Sequence, residues 1–125
     1  MSTSVKLRRK PAILDLEVTA GDGFPLEFRS AIDLTGYAVQ VTARRDADLT
    51  STKLWDLSTG NARVTITALG GTPAKWAIRF ALNSVETRAV GGGLVWDMQL
   101  TPPAPNDVPR TFVTGEVRVV REVSA

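Results

Sequence analysis

The 125-residue sequence predicts an all-β domain, a sandwich of two sheets built from seven or eight short strands with at most one helical turn. Apolar and polar residues alternate at period two along most of the chain, the pattern of strands that bury one face. Clusters of Gly, Pro, Asn and Asp separate these runs at short intervals and supply the turns. A single stretch, Asn83-Ser84-Val85-Glu86, carries a helix-start signal.

Leu14, Leu16 and Val18 alternate with Asp15, Glu17 and Thr19 and form the first strand. After the turn Gly21-Asp22-Gly23, Phe24, Leu26 and Phe28 alternate with Pro25, Glu27 and Arg29. Pro25 has no N–H to give a ladder, so this second strand begins or borders a sheet. Asp33-Leu34-Thr35-Gly36 turns the chain into a third strand with Tyr37, Val39, Val41 and Ala43 inward. Arg44 to Ser51 reads as an exposed loop, Lys53 to Leu57 as a short edge strand, and Ser58 to Asn61 as a turn. Val64 and Ile66 start the next strand, and Gly70 to Pro73 form a loop.

Trp76, Ile78, Phe80 and Leu82 give the cleanest alternation in the chain. Asn83 with Glu86 three positions later then makes a capping box, expected to hold one helical turn that ends near Gly91-Gly92-Gly93. Leu94, Trp96, Met98 and Leu100 follow as a strand, Pro102 to Pro109 as a Pro-rich loop, and Val113, Gly115, Val117 and Val119 as the last strand. Leu16, Phe28, Val39, Val41, Trp76, Ile78, Phe80, Trp96, Met98, Val117 and Val119 are expected to share one core. Two facing sheets bury such strands, and a small closed barrel is the rival architecture.

With 43% apolar and 22% charged residues the composition is that of a folded chain, read as one domain over residues 12–125 behind an arm of residues 1–11. There is no cysteine, hence no disulfide and no thiolate metal site. There is no histidine, which removes the commonest general base and metal ligand and every Ser-His-Asp or Cys-His arrangement. Paired carboxylates remain as a route to catalysis. Asp15, Glu17, Glu27, Glu116 and Glu122 fall on outward strand positions, where a solvated face is the plainer reading. Asp97, between Trp96 and Met98, is expected to pair with an Arg of a neighbouring strand. Gly91-Gly92-Gly93 lacks the Lys and Ser/Thr of a phosphate loop and serves as a turn. The reading is a non-enzymatic binding or assembly module without cofactor or metal. No apolar run approaches a membrane span or a secretory signal.

The formal charge of +2 is unevenly placed. Lys6, Arg8, Arg9 and Lys10 hold four positive charges, and without them 11 basic residues face 13 acidic ones. This arm is expected either to remain solvated or to dock on a protein partner. Four charges without an interleaved aromatic argue against nucleic acid. Trp76 and Trp96 lie in register with apolar faces. Trp55 sits in an ambiguous segment and is read as an exposed candidate for the same interface. Exposed tryptophans would instead suit a carbohydrate-binding module, the reading from a different class.

Five pieces occur in order: LDLEVTAGDGFPLEF, IDLTGYAVQVTARR, WAIRFALNSVETRAVGGG, LVWDMQLTPP and TGEVRVVREV. Together they resemble small immunoglobulin-like virion domains of tailed bacteriophages, such as the N-terminal domain of baseplate upper proteins and stand-alone tail or capsid-surface proteins. The resemblance runs from about residue 12 to residue 123. It implies an immunoglobulin-like antiparallel β-sandwich and a structural role in a virion, as an adaptor in the tail, baseplate or head–tail region, with capsid decoration on the head surface as the alternative. It implies tail, head–tail or capsid subunits as partners, a homo-oligomer in the assembled particle, synthesis in the host bacterial cytoplasm, and no catalytic residues. Baseplate upper proteins continue into receptor-binding segments, whereas this sequence ends at Ala125, which argues against a tail-to-receptor linker and puts a stand-alone tail, head–tail or capsid-surface protein on an equal footing.

Overall fold

The computed structural model describes residues 11–46, 52–72 and 74–120, which form nine strands and one short helix. β1 (Ala12–Ile13) and β2 (Leu16–Thr19) precede β3 (Phe24–Ser30), β4 (Ala38–Arg44), β5 (Trp55–Ser58), β6 (Val64–Gly70) and β7 (Lys75–Leu82). Helix α1 (Ser84–Arg88) leads into β8 (Leu94–Thr101) and β9 (Arg110–Val120).

The strands form two separate sheets, so the closed barrel is excluded. One has the order β1-β9-β8-β4-β5, with β2 also on β9; the other has the order β3-β7-β6. Strands β3, β7 and β6 correspond to B, E and D of an immunoglobulin sandwich, and β9, β8, β4 and β5 to G, F, C and an added C′. Pro25 sits in β3, which among the described residues is an edge strand paired only with β7, consistent with its missing N–H.

The count exceeds the expected seven or eight because the first predicted strand is two. Leu14 and Asp15 interrupt it, and both β1 and β2 run parallel to β9, a departure from an all-antiparallel sandwich. Leu14 was expected inward and is instead 37% exposed. Its backbone is the reason. The Leu14 N–H donates to the Thr114 carbonyl at 2.8 Å, and the Leu14 carbonyl accepts from the Trp96 indole at 2.9 Å. The chain crosses Gly115 so closely that a Cβ there would lie 2.0 Å from the Leu14 oxygen. Only glycine leaves room for that crossing.

The core lies between the sheets, as the alternation requires. Leu16, Val39, Val41, Ile78, Phe80, Trp96, Met98 and Val117 are buried, and Phe28, Trp76 and Val119 are half-buried against them. The rings of Phe28, Phe80 and Trp96 meet across the gap with centroids 6.1 to 6.4 Å apart. Such aromatic contacts add to the area they bury. The Asn83 capping box is present: its side chain accepts from the Glu86 N–H, and the Glu86 carboxylate accepts from the Asn83 N–H, both at 2.9 Å.

Candidate interaction surface

The side chains expected to form an interface fare differently. Lys6, Arg8, Arg9 and Lys10 lie outside the described residues. Trp55 does not belong to a surface: it is 0% exposed, and its indole donates to the Glu86 carbonyl at 2.9 Å. In β5, Trp55 and Leu57 point inward and Asp56 outward, so the strand register buries the ring. Trp96 is also buried and Trp76 is half-buried in the core.

Helix α1 is a junction of structural contacts. Arg63 grips Glu86 with both terminal nitrogens, Nη1 to Oε2 at 3.1 Å and Nη2 to Oε1 at 2.6 Å, and also reaches the Ala81 carbonyl. Thr87 is fully buried; its hydroxyl accepts from the Gly21 N–H and donates to the Asp22 carbonyl, each at 3.0 Å. Arg45 donates to the Ala89, Val90 and Gly93 carbonyls, satisfying acceptors at the helix cap and in the turn that follows it. None of Arg45, Arg63 and Thr87 stood out in the sequence, because the partners named above lie between 18 and 66 residues away.

The other carboxylates with resolved partners are engaged in similar ways. Asp97 accepts from the Thr42 hydroxyl at 2.9 Å, not from the expected Arg, because β4 presents Thr42 in register beside it. Asp15 accepts from the Glu116 N–H at 3.0 Å. The Thr35 hydroxyl and N–H hold the Asp33 carboxyl below its usual range. Among the described residues no group of three or more acids is placed to hold a metal, and no helix is long and apolar enough to cross a membrane.

What remains for contacts is the outside of the sheets and their edges. At the start of the sandwich, Ile13 is 79% exposed on β1, the outermost strand of its sheet. Apolar Val85 and Val108 are exposed singly elsewhere.

The outer face of the three-stranded sheet carries Glu27 and Arg29 from β3 and Lys75 and Arg79 from β7, with threonines from β6. Glu27 bridges two cations, Oε1 to Arg79 Nε at 2.5 Å and Oε2 to Arg29 Nε at 2.7 Å. These bonds, Arg79 first, hold its carboxyl below the usual glutamate range. A shallow open depression beside them is lined by Pro25, Glu27, Arg63, Thr65, Arg79 and Ala81. The sequence signal was partial: alternation places Glu27, Arg29 and Arg79 outward, but only the β3–β7 register makes Glu27 and Arg79 neighbours.

The outer face of the six-stranded sheet has the opposite character. Register places Glu17, Asp56, Asp97 and Glu116 on it with Arg44 and Arg118. Glu116 meets Arg118 at 3.1 Å, and Glu17 lies across from Arg118 on the parallel strand.

Neither the family models nor the curated proteins contain a match to the chain. The strand order therefore defines its class, an immunoglobulin-like β-sandwich.

Proposed function

We propose that the protein is a non-enzymatic structural module of a bacteriophage virion, an adaptor of the tail, baseplate or head–tail region. In this reading it docks on a neighbouring protein subunit where its N-terminal segment joins the sandwich. The observation that carries the reading is Ile13, an exposed apolar side chain on an outermost strand, directly after the stretch containing Lys6, Arg8, Arg9 and Lys10. Among the described residues the far side of β1 has no strand partner, and such an edge accepts an added strand from a partner. Apolar burial at Ile13 and charge attraction from the basic stretch would act together there.

Two further observations support a binding role. Glu86, Asp97, Asp33 and Asp15 are occupied in holding turns and strands together. Trp55 and Trp96 are buried, which removes the aromatic platform that a carbohydrate-binding module would need.

The test has two stages. Mass spectrometry of purified phage particles is expected to find the chain at fixed stoichiometry, and its absence overturns the virion assignment. Particles lacking the protein are then incubated with full-length chain, with chain missing residues 1–10, and with Ile13→Asp. Both variants are expected to fold and to occupy fewer sites, with the full-length chain losing occupancy as salt rises. Equal occupancy for all three would move the interface away from β1.

A further inference from the structure

The two outer faces of the sandwich differ in charge. Among the described residues the three-stranded face carries Arg29, Lys75 and Arg79 against Glu27, a net of +2. The six-stranded face carries Glu17, Asp56, Asp97 and Glu116 against Arg44 and Arg118, a net of −2. The basic face also keeps donors in hand. Arg29 and Arg79 each use only Nε on Glu27, so their terminal nitrogens have no hydrogen-bond partner among the described residues. On the acidic face, Asp97 uses one oxygen on Thr42 and Asp56 makes a single long contact of 3.4 Å to Gln40. Unused guanidinium nitrogens on one face and unused carboxylate oxygens on the other are the two halves of an Arg–carboxylate contact.

We propose that these faces bind each other between copies of the chain, the three-stranded face of one against the six-stranded face of the next. The partner is a second copy, and charge complementarity selects the pairing. Like faces brought together would set +2 against +2 or −2 against −2 and repel. The contact is therefore head-to-tail, and it continues into a ring or a stack.

Its strength follows from its size. Three strands about 4.8 Å apart and seven residues long present a flat area of roughly 300 Å². A stable complex takes about 800 Å² from each partner. The interface is thus weak in dilute solution and becomes effective where copies are held close together, as in an array. This inference does not depend on the virion assignment and can hold or fail separately from it.

The experiment measures self-association of the full-length chain by light scattering and sedimentation at high protein concentration. Attraction is expected at low salt and is lost at high salt. Arg29→Glu with Lys75→Glu makes both faces acidic, and Glu17→Lys with Asp56→Lys makes both basic. Each double variant alone loses self-association, and an equimolar mixture of the two regains it. A matched pair moves the same charges to exposed helix-end, strand-end and loop positions off both faces, Arg88→Glu with Arg110→Glu and Asp22→Lys with Asp107→Lys. Each of these keeps both faces intact and is expected to self-associate alone as the wild type does, unlike the face variants of equal net charge. Circular dichroism confirms that every variant is folded. Failure of the face mixture to associate overturns the proposal, as does a loss of self-association in the matched variants equal to that of the face variants, which would assign the effect to net charge alone.

Discussion

Gly115→Ala tests how the N-terminal segment is attached to the sandwich. The new methyl would lie 2.0 Å from the Leu14 carbonyl oxygen and 2.6 Å from its carbon, with Asp15 Oδ1 at 3.1 Å. The obstruction is backbone and cannot rotate away, so the Leu14–Asp15 segment must lift. Lifting strains or breaks three hydrogen bonds: Trp96 Nε1 to the Leu14 carbonyl, Leu14 N–H to the Thr114 carbonyl, and Glu116 N–H to Asp15. At about 1 kcal/mol each these sum to about 3 kcal/mol, with the indole N–H of a buried tryptophan at the upper end. For a domain of this size that corresponds to a fall in melting temperature of roughly 10 °C. The backbone of Gly115 is not in the left-handed region, so the effect is steric. Gly92→Ala is the control, since a Cβ there meets nothing within 4 Å, and its expected change is within about 0.5 kcal/mol. Thermal and urea denaturation followed by circular dichroism give both values. A Gly115→Ala protein that melts with the wild type would refute the crossing of Leu14 over Gly115.

Glu86→Ala is expected to cost about 2 kcal/mol, through loss of half of the capping box and of a largely buried partner for Arg63. Glu86→Gln is expected to cost less, because its amide oxygen still accepts from the Asn83 N–H; coincident urea midpoints for Glu86→Ala and wild type would refute the junction role. Glu27 is expected to titrate below the ordinary value of 4.5, its contribution to stability being complete above that value and declining as pH falls through the folded-state value. Carboxyl NMR is expected to show its midpoint rising in Arg79→Ala, and an unmoved midpoint would show that Arg79 is not its principal partner.

Much of the fold was legible in the residues, and the reason is local. Trp76, Ile78, Phe80 and Leu82 reveal their strand because pleating alone sends alternate side chains to one side. Asn83 and Glu86 reveal the helix start because the capping box closes within four residues. Trp55 was misread because β5 is only four residues long, too short for its alternation to stand out. The arrangement W-D-L did hold the signal, with Asp56 outward between two buried neighbours. Nothing near Leu14 announced the break in the first strand, since its cause is the indole of Trp96, 82 positions away, and the missing side chain of Gly115. Asp97 went astray for a similar reason: alternation gave its face, but only the β4 register gave Thr42 as its neighbour. Alternation showed which charged residues point outward, but which of them share a face depends on the division of strands between sheets, and that required the fold.

The parallel pairing of β2 with β9 has a mechanical consequence. Their register runs from Leu16 opposite Val117 to Thr19 opposite Val120, so the incoming end of β2 and the outgoing end of β9 lie at opposite ends of the same ladder. Tension between the two ends of the sandwich pulls these strands along their length in opposite senses. The rungs are then loaded in shear together, whereas an antiparallel pair pulled from one end opens rung by rung. A neighbour that tugged on the segment before β1 while another held the end of β9 would meet this stiffer direction of the fold, reinforced by the Trp96 indole bolted to Leu14.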